Sequence, residues 1–267
     1  MWQLQAGRIT AVACVFATAF LLTLGFGEAW VREDAKPSIR LLGSGSHLSL
    51  LITSDQARVL IASGDDATAF GNALGGSRHL TSRRIDVVIL VGNNDDIPVA
   101  RYVRKNIDAR RVFVLNGPLV ALLGDLGLEH DQVIAKPTRL RLPGGIDLTI
   151  TPESVADGSW SAEIVRGQTT VVAGNSPELD DLDKSGASLL IFTNDLNLDA
   201  LTGIHARAIA LPARAAKPTE LKTAANDLEH SLLAIRVESA ATEPLSFVKG
   251  GIQVDGQALR LAADTSS

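Results

Sequence analysis

IDVVILVGNNDDIPVARYVRKN, residues 85 to 106, is the stretch on which the reading of this chain turns. It opens with branched aliphatics from Ile85 to Val91, interrupted only by Asp86, passes through a polar turn, and continues with Val99, Tyr102 and Val103 on one helical face. A continuous apolar run bounded by turn residues reads as a strand covered on both faces, and the helix follows directly, making a βα unit. In folds of this kind ligands gather beyond the carboxyl ends of the strands, which puts any chemistry at Gly92 to Ile97. That segment reads Gly-Asn-Asn-Asp-Asp-Ile, without a histidine or a cysteine.

Upstream, residues 39–42 and 48–53 read as strands separated by Gly43-Ser44-Gly45-Ser46. Residues 57–62 form a third strand after an Asp55-Gln56 turn, and 67–80 a helix despite Gly71, Gly75 and Gly76. Downstream, 111–115 is a short strand and 119–126 a short helix. Two hairpins follow: 138–142 with 146–151 across Pro143-Gly144-Gly145, and 161–165 with 169–173 across Arg166-Gly167-Gln168. Strands at 188–192, 207–211 and 232–237 alternate with helices at 196–201 and 218–228, and residues 252–261 read as a hairpin turning at Asp255-Gly256. Hairpins followed by βα units occur in both halves, which suggests two sheets with helices outside.

Composition narrows the function classes. With 267 residues and 46% hydrophobic content the chain can bury a substantial core, built from Leu, Val, Ile and Ala because aromatics are only 4%. The net charge of -5 comes with both signs interspersed. It gives no basic stripe, so charge does not indicate nucleic-acid binding, and it gives no polybasic membrane patch. The single cysteine, Cys14, rules out an intrachain disulfide and a thiolate metal site. The five histidines (His47, His79, His130, His205, His230) are scattered, with no pair at a short ligand spacing.

The N-terminus has its own logic. Residues 9–26, ITAVACVFATAFLLTLGF, carry no charge, and at about 1.5 Å per residue they are just long enough to cross a hydrocarbon core. Trp2 and Trp30 flank them as interfacial aromatics do. A signal peptide cleaved near Ala29 is the competing reading, but its apolar region is usually only about 7 to 15 residues, so the length favours an uncleaved anchor. The expected organisation is a tail at 1–8, a transmembrane anchor at 9–31, a linker at 32–38 and a folded domain at 39–267. That domain lies outside the cytoplasm in either case.

From residue 38 onward the chain resembles the metallo-β-lactamase-fold domain of the DNA-internalisation competence proteins (ComEC). The family's opening strand, glycine turn and second strand have the shape of SIRLLGSGSHLSLLI; its Ile-Asp-Gly-Gly strand falls on LIASGDD; its His-x-His-x-Asp-His metal motif falls on Gly92 to Ile97. The resemblance implies an αβ/βα four-layer sandwich, here preceded by one transmembrane helix. Carried over position by position, it puts the family's metal histidines on Gly92, Asn94 and Ile97, and keeps the aspartate as Asp96. The two acidic positions of the opening strands become Leu48 and Ala62. The Thr-Gly-Asp motif falls on Ala173-Gly174-Asn175, and Pro-His-His-Gly on Thr193-Asn194-Asp195-Leu196.

Catalytic zinc takes about three protein ligands from imidazole, thiolate or carboxylate. Asn175 and Asn194 offer weak neutral oxygens and Ile97 offers hydrocarbon, so the expectation is no metal, no cofactor and no zinc-activated water. A calcium or magnesium ion held by oxygens is the remaining metal option. Helix capping explains the polar residues equally well: Asp96 precedes a helix with Pro98 in its first turn, Ser176 precedes Pro177, and Thr193 or Asn194 can cap the helix that follows. His47, in the opening turn, is the best single candidate for residual activity, while His130 between Glu129 and Asp131 reads as a loop residue. Gly43-x-Gly45 has no phosphate-loop lysine, and no serine sits in a Gly-x-Ser-x-Gly elbow.

The expectation is a membrane-anchored, catalytically silent domain of the bacterial cell envelope that binds or supports an unknown membrane-protein partner. The alternatives are a metal-dependent hydrolase of phosphodiesterase or nuclease type, built on Asp95, Asp96 and Asp195, and a secreted binding protein released after Ala29.

Overall fold

A computed structural model of the chain describes residues 37–76, 84–175, 187–194, 205–214, 217–224, 232–237, 241–242, 244–248, 251–253 and 258–261. The central strand of the sequence reading is β4 (Ile85–Leu90). It lies between β3 (Arg58–Ala62) and β5 (Ala109–Leu115), parallel to both. Beyond β3 come β2 (His47–Thr53), β1 (Ser38–Ser44), β14 (Leu245–Val248) and β15 (Gly251–Gln253), all antiparallel, and beyond β5 lies the short β6 (Val133–Ile134).

The second sheet repeats this plan. Its antiparallel half is β7 (Thr138–Leu142), β8 (Ile146–Pro152), β9 (Trp160–Arg166) and β10 (Thr169–Gly174). A parallel half of β11 (Leu189–Phe192), β12 (Ala208–Pro212) and β13 (Leu232–Val237) follows, closed by β16 (Ala258–Leu261).

Side-chain alternation builds the layers, because successive residues of a strand face opposite sides. Ile39, Leu41, Leu50, Ile52, Val59, Ile61 and Ile89 of the first sheet meet Leu148, Ile150, Ile164, Val171, Leu189 and Ile191 of the second in one buried cluster. The intervening residues of the first sheet, among them Leu60, Val88, Leu90, Val112 and Val114, turn to a second cluster. There they meet Phe70 and Leu74 of α1 (Ala67–Gly76) and Val99 and Val103 of α2 (Ile97–Asn106). The Phe70 and Tyr102 rings meet edge to face, 5.7 Å between centroids. On the second sheet Leu190, Ile209 and Leu211 alternate with the inward residues and are buried too, as is Leu221 of α3 (Pro218–Ala224).

Two expectations are corrected. Residues 252–261 are not a hairpin: β15 pairs with β14 in the first sheet, whereas β16 pairs with β13 in the second. The segment 119–126 is not an α-helix but a 3-10 turn, Pro118–Leu122, opened by proline. Residues 9–31 lie outside the described residues, and among the described residues no helix is long and apolar enough to cross a membrane.

Candidate functional site

The polypeptide turns at the carboxyl ends of β3, β4, β10 and β11 form the rim where the two sheets meet. Asp96 is its most engaged residue, only 2% exposed. One carboxylate oxygen accepts the Ser63 hydroxyl at 2.7 Å and the Gly64 N–H at 2.5 Å. The other accepts the Asn93 N–H at 2.8 Å. Asn93 answers by accepting the Asp95 N–H at 2.7 Å on its side-chain oxygen, a reciprocal capping box over the 3-10 turn Asn94–Asp96. The capping expectation for Asp96 is therefore corrected. It stands at the N-cap position of α2, but its side chain makes no cap bond there and turns back toward β3.

A succession of contacts links the rim. Ser44 donates its hydroxyl to the Ser63 carbonyl at 3.0 Å. Ser49 donates to the same carbonyl at 2.6 Å and accepts the Ser63 N–H. The Leu48 N–H crosses to the second sheet and donates to the Thr193 carbonyl at 2.7 Å; the Thr193 N–H in turn donates to Gly174. Asn175 accepts the Trp160 N–H at 2.8 Å on its side-chain oxygen and donates its own N–H to the Trp160 carbonyl. Gly158, two residues before Trp160 in the sequence, lies with its backbone against the Gly92 carbonyl, so that a Cβ at Gly158 would strike that carbonyl. Gly92 closes the circuit: at φ +104 it approaches the Asp96 carboxylate so tightly that a Cβ there would collide with it.

The positions singled out from the sequence thus have separate fates. Leu48 is fully buried and packs between the sheets. Ala62 is buried on the helix side and its carbonyl accepts the Val91 N–H. Gly92, Asp96 and Asn175 meet backbone within the rim. Asn94 is exposed, Ile97 packs half-buried against the helix-side cluster, and Asn194 is half-buried at the end of the β11 segment. Asp195, Ser176 and the helix at 196–201 lie outside the described residues. Asp95 is exposed and Asp96 buried, so these two neighbours do not present a shared carboxylate site.

Sequence reasoning missed a second knot. Ser46 donates its hydroxyl to Asp65 at 2.9 Å, and Asp65 also lies 3.5 Å from Nδ1 of His47. Burial pushes the Asp65 carboxyl up, but the Ser46 hydroxyl and N–H together with the His47 charge outweigh it and leave the carboxyl below its ordinary range. Both partners meet the same ring nitrogen of His47, so this is not a relay in which serine and aspartate sit on opposite nitrogens. The Asn93…Asp96 spacing of a capping box was visible in the sequence; the Ser46–Asp65 bond, across 19 residues, had no local signal.

The donor set of the described residues does not fit a transition metal. Among the described residues no group of three His, Cys, Asp or Glu side chains gathers as a metal would require.

No family model matches the chain, and no curated protein matches it. Among solved structures it is similar to the metallo-β-lactamase fold protein YhfI from Bacillus subtilis: TM-score 0.51 and 14% identity, over 77% of this chain and 99% of that one. The chain has the metallo-β-lactamase fold. Weaker likenesses are to the metallo-β-lactamase MIM-2 (TM-score 0.43, 16% identity, 60% of this chain and 75% of that one) and to MIM-1 from Novosphingobium pentaromativorans (TM-score 0.41, 14% identity, 60% and 78%).

Proposed function

We propose that this chain is a metallo-β-lactamase-fold domain of the competence-protein type that has given up metal hydrolysis. In this reading residues 9–31 hold it to the membrane, and it serves as a binding or structural subunit of an envelope assembly. The observation that carries the reading is Asp96. The one acidic residue that the resemblance retains from the metal motif has both oxygens engaged by Ser63, Gly64 and Asn93, inside a buried knot. A carboxylate so satisfied would have to break two or three charge-assisted hydrogen bonds, each worth about 1.5–3 kcal/mol, to ligate an ion.

The test is metal content and turnover of the purified full-length chain. Less than a tenth of an equivalent of zinc, manganese or iron is expected, together with no chelator-sensitive hydrolysis of phosphodiester or β-lactam probes. One equivalent of zinc with turnover abolished by chelator overturns the proposal. The alternative, a metal-dependent phosphodiesterase or nuclease related to DNA uptake, draws on the fold alone.

A further inference from the structure

At the amino end of β5, away from the rim, lies a groove of about 340 Å³ whose walls include Arg104, Arg110, Arg111, Phe113 and Asp131. Its charge is unusual for this molecule. Other exposed arginines have acidic partners: Arg139 and Arg141 on β7 share Asp147, at 2.8 and 3.2 Å, and Arg101 faces Asp125 at 3.9 Å. Arg110 and Arg111 are exposed, and their side chains make no hydrogen bond or ion pair with a described residue. Arg104 is spoken for on one side only, donating from Nε to the Leu126 carbonyl at 2.6 Å and from one terminal nitrogen to the Gly127 carbonyl at 3.3 Å. These bonds fix its guanidinium at the groove and leave the other terminal nitrogen without a hydrogen bond to a described residue. Three permanent cations therefore line the groove with one carboxylate, Asp131, which is exposed and makes no ion pair with a described residue.

A guanidinium is a planar fork of donors matched to tetrahedral and planar oxyanions, and it does not lose its proton at any ordinary pH. Three such groups against one carboxylate leave a net local charge of two, which a phosphate dianion balances. We propose that this groove is a phosphate-binding site at the open edge of β5, which β6 covers only at Val114 and Leu115; there Arg110 and Arg111 reach phosphoryl oxygens from the two faces of the strand and Arg104 supports them from a fixed position. The phosphate is carried by a free phosphorylated molecule or by a lipid headgroup; the chemistry is the same. The proposal is independent of whether the rim is catalytic.

Calorimetric titration of the full-length chain in a zwitterionic detergent tests it, at constant ionic strength set with potassium chloride. One arm uses inorganic pyrophosphate; the other uses micelles doped with phosphatidylglycerol or, as control, phosphatidylcholine. Saturable binding of one phosphate ligand per chain is expected in at least one arm, and the arm that responds identifies the source. R110A and R111A are expected to weaken it about tenfold each, the loss of one charge-assisted contact, while D131N tightens it about threefold. R111Q serves as a second variant that keeps the strand's side-chain bulk. Absence of saturable binding in both arms, or affinities unchanged in the two alanine variants, overturns the proposal.

Discussion

The Asp96 carboxylate and the Ser63 hydroxyl meet at 2.7 Å, joining the turn after β4 to the turn after β3 inside the protein. With the N–H groups of Gly64 and Asn93 on the same carboxylate, one side chain organises three stretches of backbone. Asp96→Asn replaces one acceptor oxygen with an amide that donates, facing the Asn93 N–H or the Gly64 N–H. It should lower stability by about 2–3 kcal/mol in urea unfolding, without altering any metal content. A loss under about 0.5 kcal/mol would show that the carboxylate is held loosely enough to be lent to a ligand.

Gly92 and Gly158 should resist side chains. Their φ values of +104 and +74 are ones that L-residues rarely adopt, and an added Cβ meets the Asp96 carboxylate in one case and the Gly92 carbonyl in the other. Gly92→Ala and Gly158→Ala are each expected to cost more than about 2 kcal/mol, read from the unfolding midpoint. For the same reason Gly92→His, which puts a histidine at the position matched to the first histidine of the metal motif in the proposed reading, should fail to fold before it recruits zinc.

Thr193 is 1% exposed, and its hydroxyl has no hydrogen-bond partner among the described residues. Thr193→Val keeps the shape and removes the unsatisfied group, so it should stabilise the protein by about 1 kcal/mol in thermal unfolding. A destabilisation of that size would mean that the hydroxyl is bonded in solution.

The loop before β9 should respond to acid. The Ser159 hydroxyl, the Ser159 N–H and Ser154 hold the Asp157 carboxyl down at about 2. A carboxyl with a folded value below its unfolded value of about 4 favours the native loop above pH 4, and that contribution fades as pH falls toward 2. Hydrogen exchange at the Ser159 amide should therefore quicken between pH 4 and 2, relative to the intrinsic rate, and Asp157→Asn should show the fast behaviour throughout.

Much of the fold was legible because it is local. The strand that became β4, the β7–β8 and β9–β10 hairpins and α2 follow from aliphatic runs, Gly-Gly or Arg-Gly turns and a helical stripe within a few residues of each other. What could not be read is pairing across the chain. Asp255-Gly256 has hairpin chemistry, yet the strands beside it belong to different sheets, because Ile252 and Leu261 find longer-range partners in Phe247 and Leu232. The candidate site divides the same way. A cap at this turn is local chemistry, but the sequence reading puts it on Asp96 where the structure has Asn93; the Asp96–Ser63 bond and the Gly158–Gly92 contact join segments 33 and 66 positions apart by residue number, which local spacing does not encode.

The route of the final strands has a consequence for biosynthesis. β14 completes the first sheet beside β1, whose residues Ser38 and Ile39 it pairs with after some 200 intervening positions, and β16 flanks β13 in the second sheet. A nascent chain emerging from the ribosome thus has both sheets open along one margin until β14 and β16 have been made, and such distant closures are slow. Those bare margins expose unpaired backbone to neighbouring chains, which makes the interval before β14 and β16 emerge the period when this protein most needs a chaperone.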